Sequence, residues 1–378
     1  MKIVIFGLAI TSSWGNGHAT TYRALVRALS SRGHDVLFLE RDLPWYAENR
    51  DLPKPTYARA SLYRNLDELE EIHASDIRSA DLVIVGSYVP DGIRIGDMVH
   101  RMANGVTAFY DIDTPVTLAR LAADSVDYIT RKQIPKYDLY LSFTGGPILA
   151  RLERHFGAKR ARPLYCSVDP DAYFPEPAVE PDYDLGYLGT YSPDRQNTLD
   201  ALLIQPASAW PKGRFVVAGP QYPDSVRWPA NVHRVEHLSP AEHRRFYNRL
   251  RYTLNVTRKD MVEAGYSPSV RLFEAAACGT PIVSDVWPGI DRFLSPGAEI
   301  LLARRSQDAF AYITGIPEQD RVSLADNARR RVLQLHTSVE RARELEEYVT
   351  EVSTVGRSQS LVSRFETAGP EPAVQRPA

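Results

Sequence analysis

Short β-branched apolar runs alternate with helix-length amphipathic stretches along nearly the whole chain, in two series separated by a single break. The first series has Ile3–Gly7, Val36–Glu40, Leu82–Gly86, Val106–Tyr110 and Leu139–Phe143, with helical segments such as Thr20–Ser31 between them. Strands alternating with helices predict a parallel, doubly wound sheet, and strands apolar along their whole length predict a sheet covered on both faces. The break is Ser167–Tyr183, "SVDPDAYFPEPAVEPDY", where four prolines interrupt any regular element. The alternation then restarts through Asp184–Gly189, Leu199–Ile204, Phe215–Gly219, Val232–Val235, Tyr252–Val256 and Ile282–Asp285. A chain of 378 residues is long enough for two separate cores. The expected division is a Rossmann-like domain over 1–166, a linker over 167–183 and a second Rossmann-like domain over 184–350. Residues 356–378, rich in Ser, Pro, Gly and Ala without periodicity, read as a disordered tail.

Composition narrows the partners. A formal net charge of -2 provides no broad basic surface, so nucleic acid is not the expected partner. Cys166 and Cys278 lie in apolar contexts, which predicts buried thiols, not a disulfide framework, and a reducing, cytoplasmic compartment. No apolar stretch reaches about 18 residues, so no transmembrane helix is expected. The N-terminal run reads as a strand, with no signal-peptide cleavage pattern. What remains is a small ligand, held where open α/β sheets hold them: in the loops at the carboxyl ends of the strands.

Three loops of the second series carry anion chemistry. In "SPSVRLFEAAACGTPIVSD", Ser267 suits an N-cap and Pro268 the first helical position. The free amides at Ser269 and Val270 would then face a diphosphate, because a helix N-terminus attracts negative charge. Arg271 adds a full charge, and Glu274, one turn further on the same face, can accept hydrogen bonds from a ribose diol. By periodicity alone Glu274 reads instead as a solvated residue of an amphipathic helix. "GTYSPDRQ" follows a strand with Thr190 and Arg195, a guanidinium suited to clamping phosphate. "LNVTRKDM" ends another strand with Arg258 and Lys259, one of which is expected to meet the phosphates and the other the solvent.

The first series offers "SWGNGHATTYRAL", where Gly15 and Gly17 let backbone approach a ligand and His18 opens a helix. Gly-Asn-Gly with Glu40 ending the second strand also suggests nicotinamide binding. The dinucleotide fingerprint, however, places its glycines directly after the strand, and Thr20 stands where its third glycine belongs. "FYDIDTPVTL" sets Asp111 and Asp113 after a strand, formally an Asp-x-Asp metal signature; with the phosphate charge met in the other domain, that match reads as accidental. Asp113 is either an N-cap or a group facing an acceptor, and His18 either a structural donor or an acid/base residue.

Taken together, "WGNGHATTYRAL", "YDIDTPVTL", "YDLYLSFTGG", "YCSVDPDAYFP", "LGTYSPDRQ", "LNVTRKDM" and the Ser267–Leu301 stretch resemble the bacterial CgeB-type glycosyltransferases, over about residues 2–310. The resemblance implies a GT-B architecture: two Rossmann-like doubly wound domains facing a central cleft. It also implies a nucleoside-diphosphate sugar donor, expected to be UDP-linked, an acceptor hydroxyl of unspecified kind, and no metal or other cofactor. In that family the glutamate matching Glu274 holds the ribose, and many relatives carry an acidic residue eight positions earlier that touches the sugar; here that position is Tyr266. A non-catalytic nucleotide-sugar binder and a sugar-nucleotide epimerase are the alternatives on the same scaffold.

Overall fold

The computed structural model describes residues 1–14 and 17–367, with side chains of the final helix described as far as Thr354. The first sheet has seven strands: β1 (Lys2–Gly7), β2 (Asp35–Arg41), β3 (Arg59–Tyr63), β4 (Leu82–Gly86), β5 (Val106–Asp111), β6 (Leu139–Ser142) and β7 (Ala161–Pro163). The second has six: β8 (Leu185–Leu188), β9 (Phe215–Ala218), β10 (Val232–Val235), β11 (Thr253–Asn255), β12 (Ile282–Ser284) and β13 (Leu301–Leu302). Every pairing is parallel, in the orders β3-β2-β1-β4-β5-β6-β7 and β10-β9-β8-β11-β12-β13.

The central strands are apolar throughout because both faces are covered: all five residues of β4 and all four of β8 are buried. Val4, Phe6, Val83 and Val85 pack on one side of the first sheet, and Ile3, Ile5, Leu82 and Ile84 on the other. The second sheet repeats this, with Leu188, Val216 and Ala218 on one face and Leu185, Tyr187 and Val217 on the opposite one. The doubly wound expectation therefore holds for both halves.

These strand orders fix where a ligand can sit. In the first sheet β1 lies between β2 and β4, so the chain winds away from it in both directions; in the second sheet β8 lies between β9 and β11. At such a switch point the loops leaving the two central strands diverge and open a crevice. The crevice loops are those after β1 and β4 in one domain and after β8 and β11 in the other.

Several boundaries differ from expectation. Leu199–Ile204 is helical, part of a continuous run from Pro193 to Ala209. The short edge strands β3, β7 and β13 have no apolar alternation of their own and are held by their neighbours. The chain crosses between domains twice, the segments meeting where Val168 pairs with Thr337. The final helix, Ser338–Thr367, then packs on the first domain: Ala342, Leu345 and Val349 join the cluster of Ile3, Tyr22 and Leu29. Arg32–Glu346 and Arg162–Glu351, both 2.6 Å, tie its outer face. The end of the expected 184–350 domain is thus a piece of the first domain. This helix also passes Gly356, where the sequence placed the start of an unstructured tail; residues 368–378 lie outside the described residues.

Candidate active site

Between the two domains lies a cleft of about 340 Å³. Its second-domain wall is built by three loops converging on the switch point. Arg195 comes from the first turn of the helix that follows β8, Arg258 from the turn after β11, and Ser269, Val270 and Arg271 from the start of the helix Val270–Ala277. The true N-cap is Ser269, whose Oγ accepts the Arg271 amide at 3.2 Å. The expected cap, Ser267, lies two residues upstream and is otherwise engaged: its hydroxyl is 3.0 Å from Thr144 Oγ1.

Arg195 donates to the Thr190 carbonyl at 2.6 Å, while its Nε is buried without a partner. Burial lowers its pKa first of all, and neighbouring Arg271 adds to the effect. Among the described residues, none of Arg195, Arg258 and Arg271 has a carboxylate within ion-pair distance, whereas most arginines elsewhere do. Three guanidinium groups without an ion-pair partner at a helix N-terminus, with Asp194 the neighbouring carboxylate that acts on two of them, make an anion-selective point. Lys259 is excluded from it: the side chain is exposed and reaches Glu263 at 3.7 Å. Thr190 is exposed and contributes its carbonyl to Arg195, not a side chain to the cleft.

One turn along the same helix Glu274 is only 3% exposed, which rules out the solvated-residue reading. It lines an adjoining cavity of about 310 Å³ with Tyr173, Pro240, Ala241 and Arg244. The Tyr247 hydroxyl donates to Glu274 Oε2 at 3.2 Å. A carboxylate kept in a buried cavity and holding capacity for further donors can take hydroxyl groups of a ligand. Helix His18–Ser31 of the first domain lines both cavities from the other side, with His18 and Thr21 in one and Thr20, Arg23, Ala24 and Arg27 in the other.

On the first-domain wall Gly17, His18 and Asp113 line the cleft; Gly15 lies outside the described residues. His18 Nδ1 is buried without a partner. Burial lowers the His18 pKa and Asp113 opposes the shift, so the ring is neutral near pH 7 and can accept a proton. Its ring meets Tyr88 edge-on at 5.2 Å, and the Tyr88 hydroxyl donates to Asp113 Oδ2 at 3.3 Å. Asp113 sits at the N-cap position of Thr114–Ala122 but makes no side-chain capping bond, which leaves its carboxylate to the cleft.

Asp111 behaves differently. It is fully buried, with Tyr140 donating at 2.5 Å and Thr117 at 2.7 Å, and burial pushes its pKa up to about 6. The two aspartates therefore do not present a paired oxygen set to one point. Glu40 is also turned to structure: it accepts the Ile10 and Thr11 amides and the Thr11 hydroxyl, fixing the loop after β1, where a nicotinamide reading would have it meet a ribose.

Sequence reasoning missed Tyr88, Tyr173 and Tyr247. Tyr88 had a usable signal, since it follows β4, whose carboxyl end faces the crevice, and it adopts φ +62°, uncommon for a bulky residue. The other two come from elements distant in sequence, and only the packing brings them to Glu274.

Two sheets wound this way around a cleft define the GT-B class, and known structures share it. A sucrose-phosphate synthase from Thermosynechococcus elongatus matches with a TM-score of 0.66 at 15% identity, over 96% of this chain and 99% of its own. Anabaena Alr3699/HepE in complex with UDP-glucose matches at 0.64 and 13% identity, over 93% and 100%. Trehalose-6-phosphate synthase from E. coli, bound with UDP-2-fluoro glucose, matches at 0.62 and 13%, over 92% and 99%. More particularly, residues 195–347 match the sequence model of a family described as glycosyl transferase-like. That span holds Arg195, Arg258, Arg271 and Glu274. No curated protein matches the sequence.

Proposed function

We propose that the protein is a glycosyltransferase that moves a sugar from a nucleoside-diphosphate sugar to an acceptor hydroxyl. The observation that carries this reading is a pair of buried, unpartnered polar groups on opposite walls of one cleft: Arg195 Nε, a donor, and His18 Nδ1, a ring nitrogen. Such atoms occur elsewhere in the fold too, at His100 and Tyr252 for example; what singles these two out is that their residues line one cleft, where a ligand can satisfy them. The glycosyl transferase-like match over 195–347 and the UDP-sugar complexes among proteins of the same fold support a UDP-linked donor. The motifs shared with CgeB-type enzymes favour that subfamily, and the absence of any membrane-crossing helix among the described residues accords with action in the cytoplasm.

The diphosphate lies at Arg195, Arg258, Arg271 and the Ser269 cap, and the ribose reaches Glu274. The acceptor oxygen bonds to the anomeric carbon as the bond from that carbon to the diphosphate oxygen breaks, and the electron pair leaves with the nucleoside diphosphate. The three arginines and the helix tip stabilise that departing charge in place of a metal ion. The hydroxyl proton passes to His18 or Asp113 on the first-domain wall. Positioning across the cleft supplies much of the remaining acceleration.

A thermal-shift panel of nucleoside diphosphates, followed by donor-hydrolysis assays with and without EDTA, tests the proposal. UDP is expected to raise the melting temperature, and slow hydrolysis of a UDP-sugar is expected to survive the chelator. A protein stabilised by no nucleoside diphosphate would refute the donor assignment; hydrolysis abolished by EDTA and restored by manganese would refute metal independence.

A further inference from the structure

The loop that carries the Ser269 cap is not held by its own domain alone. Tyr266 has φ +48°, a left-handed conformation that costs energy for an aromatic residue, and two hydrogen bonds fix it there. Its amide donates to the Pro288 carbonyl at 2.7 Å, and its own carbonyl accepts the amide of Gly145, in the loop after β6 of the first domain, at 2.9 Å. The Tyr266 ring is clasped between two glycines. A Cβ built on Gly146 of the first domain would lie 2.3 Å from the ring, and one on Gly289 of the second would lie 2.5 Å away. Both positions have positive φ, +62° and +85°, so both the backbone and the space call for glycine. The flanking residues follow suit: Ala264 packs on the first domain's core, Ser267 meets Thr144, and the Pro268 carbonyl accepts from Cys166 Sγ at 3.3 Å.

We infer that Tyr266 is a positioning residue, whose ring locks the Ser267–Ser269 loop to the first domain so that domain closure and the placing of the cap amides are one event. Tyr266 does not line the cleft, so its hydroxyl does not replace the sugar-reading acid of the resembling enzymes. The affinity consequence rests on the proposed nucleotide site; the closure consequence does not.

The test compares Tyr266→Ala, Tyr266→Phe and Gly146→Ala in the full chain by two readouts. One is UDP and UDP-glucose affinity by calorimetry; the other is the radius of gyration without ligand, by small-angle X-ray scattering. Tyr266→Ala and Gly146→Ala are expected to weaken UDP binding by about tenfold, since ångström-scale misplacement of binding groups has effects of that order or larger. Both are expected to expand the free protein, while Tyr266→Phe, which keeps the ring, matches the native protein in both readouts. Native compactness in a folded Tyr266→Ala overturns the lock. So does a Tyr266→Phe variant that binds UDP normally but loses UDP-glucose, because the hydroxyl would then be reading the sugar. If the native protein binds no UDP, the donor reading fails, and the scattering comparison still decides the lock.

Discussion

The two domains treat charge around the cleft in opposite ways. On the first-domain side, Glu40 is consumed by the Ile10 and Thr11 amides, Asp51 by Arg23 and Ser13, and Asp111 by Tyr140 and Thr117. On the second-domain side Arg195, Arg258 and Arg271 converge with no carboxylate within ion-pair distance among the described residues, Asp194 being near enough to Arg195 and Arg258 to act only at longer range. These carboxylates behind the first-domain wall are satisfied within the fold and shape it, leaving His18 Nδ1 and the Asp113 carboxylate to face the cleft. A wall of cations without ion-pair partners carries an electrostatic cost that an incoming anion relieves, so substitutions there should act on binding, while those opposite should act on stability or turnover.

The largest expected effect tests that division directly. Arg195→Ala or Arg271→Ala should weaken UDP binding by about ten- to a hundredfold, the range for losing a charged hydrogen bond of about 1.5–3 kcal/mol. Lys259→Ala, which removes only an exposed partner of Glu263, should leave the calorimetric affinity unchanged. Equal losses for Lys259 and Arg195 would mean that diffuse charge, not placement, holds the ligand.

A somewhat smaller effect separates the ends of the nucleotide. Glu274→Gln should weaken UDP binding by roughly tenfold through the ribose contacts, yet leave inorganic pyrophosphate binding as it was. Parallel losses for both ligands would place Glu274 among the phosphate groups.

On the opposite wall, Glu40→Gln should lower the melting temperature by roughly 3–6 °C, since a buried acceptor of three hydrogen bonds is replaced by a neutral one. UDP affinity should not change. A variant with native stability but lost nucleotide binding would return Glu40 to the ribose role.

The sequence was most legible where backbone physics is local. Strand–helix alternation located both sheets, and the helix start at Ser269 was found to within two residues, because caps, prolines and amphipathic spacing leave local marks. It was least legible where a residue's role depends on distant partners. Nothing in "FYDIDT" distinguishes Asp111 from Asp113; only β6, which brings Tyr140 against one and not the other, makes that choice. Arg258 and Lys259 are likewise adjacent and alike in charge, and the direction in which the turn after β11 leaves the sheet sorts them. The final helix read as the end of the second series because chain order carries no record of the crossing at Thr337.

The smallest effect concerns Asp111 and pH. In the unfolded chain its carboxyl titrates near its ordinary value, whereas burial in the folded protein raises it to about 6. Between those values the folded protein holds a proton that the unfolded chain has released. The stability from this site is therefore full below the unfolded value and is lost as pH rises through about 6. Asp111→Asn removes that dependence and keeps an oxygen for Thr117, so above pH 6 the variant should be at least as stable as the native protein. His18, His243 and His336, whose pKa values burial lowers, act in the opposite sense, losing stability as pH falls below their ordinary value. They are common to both proteins, so the difference between the two melting curves across pH isolates Asp111. Turnover should barely change. A loss of turnover at every pH, with unaltered melting curves, would instead give Asp111 a place in the chemistry, beyond the structural role that its bonds to Thr117 and Tyr140 describe.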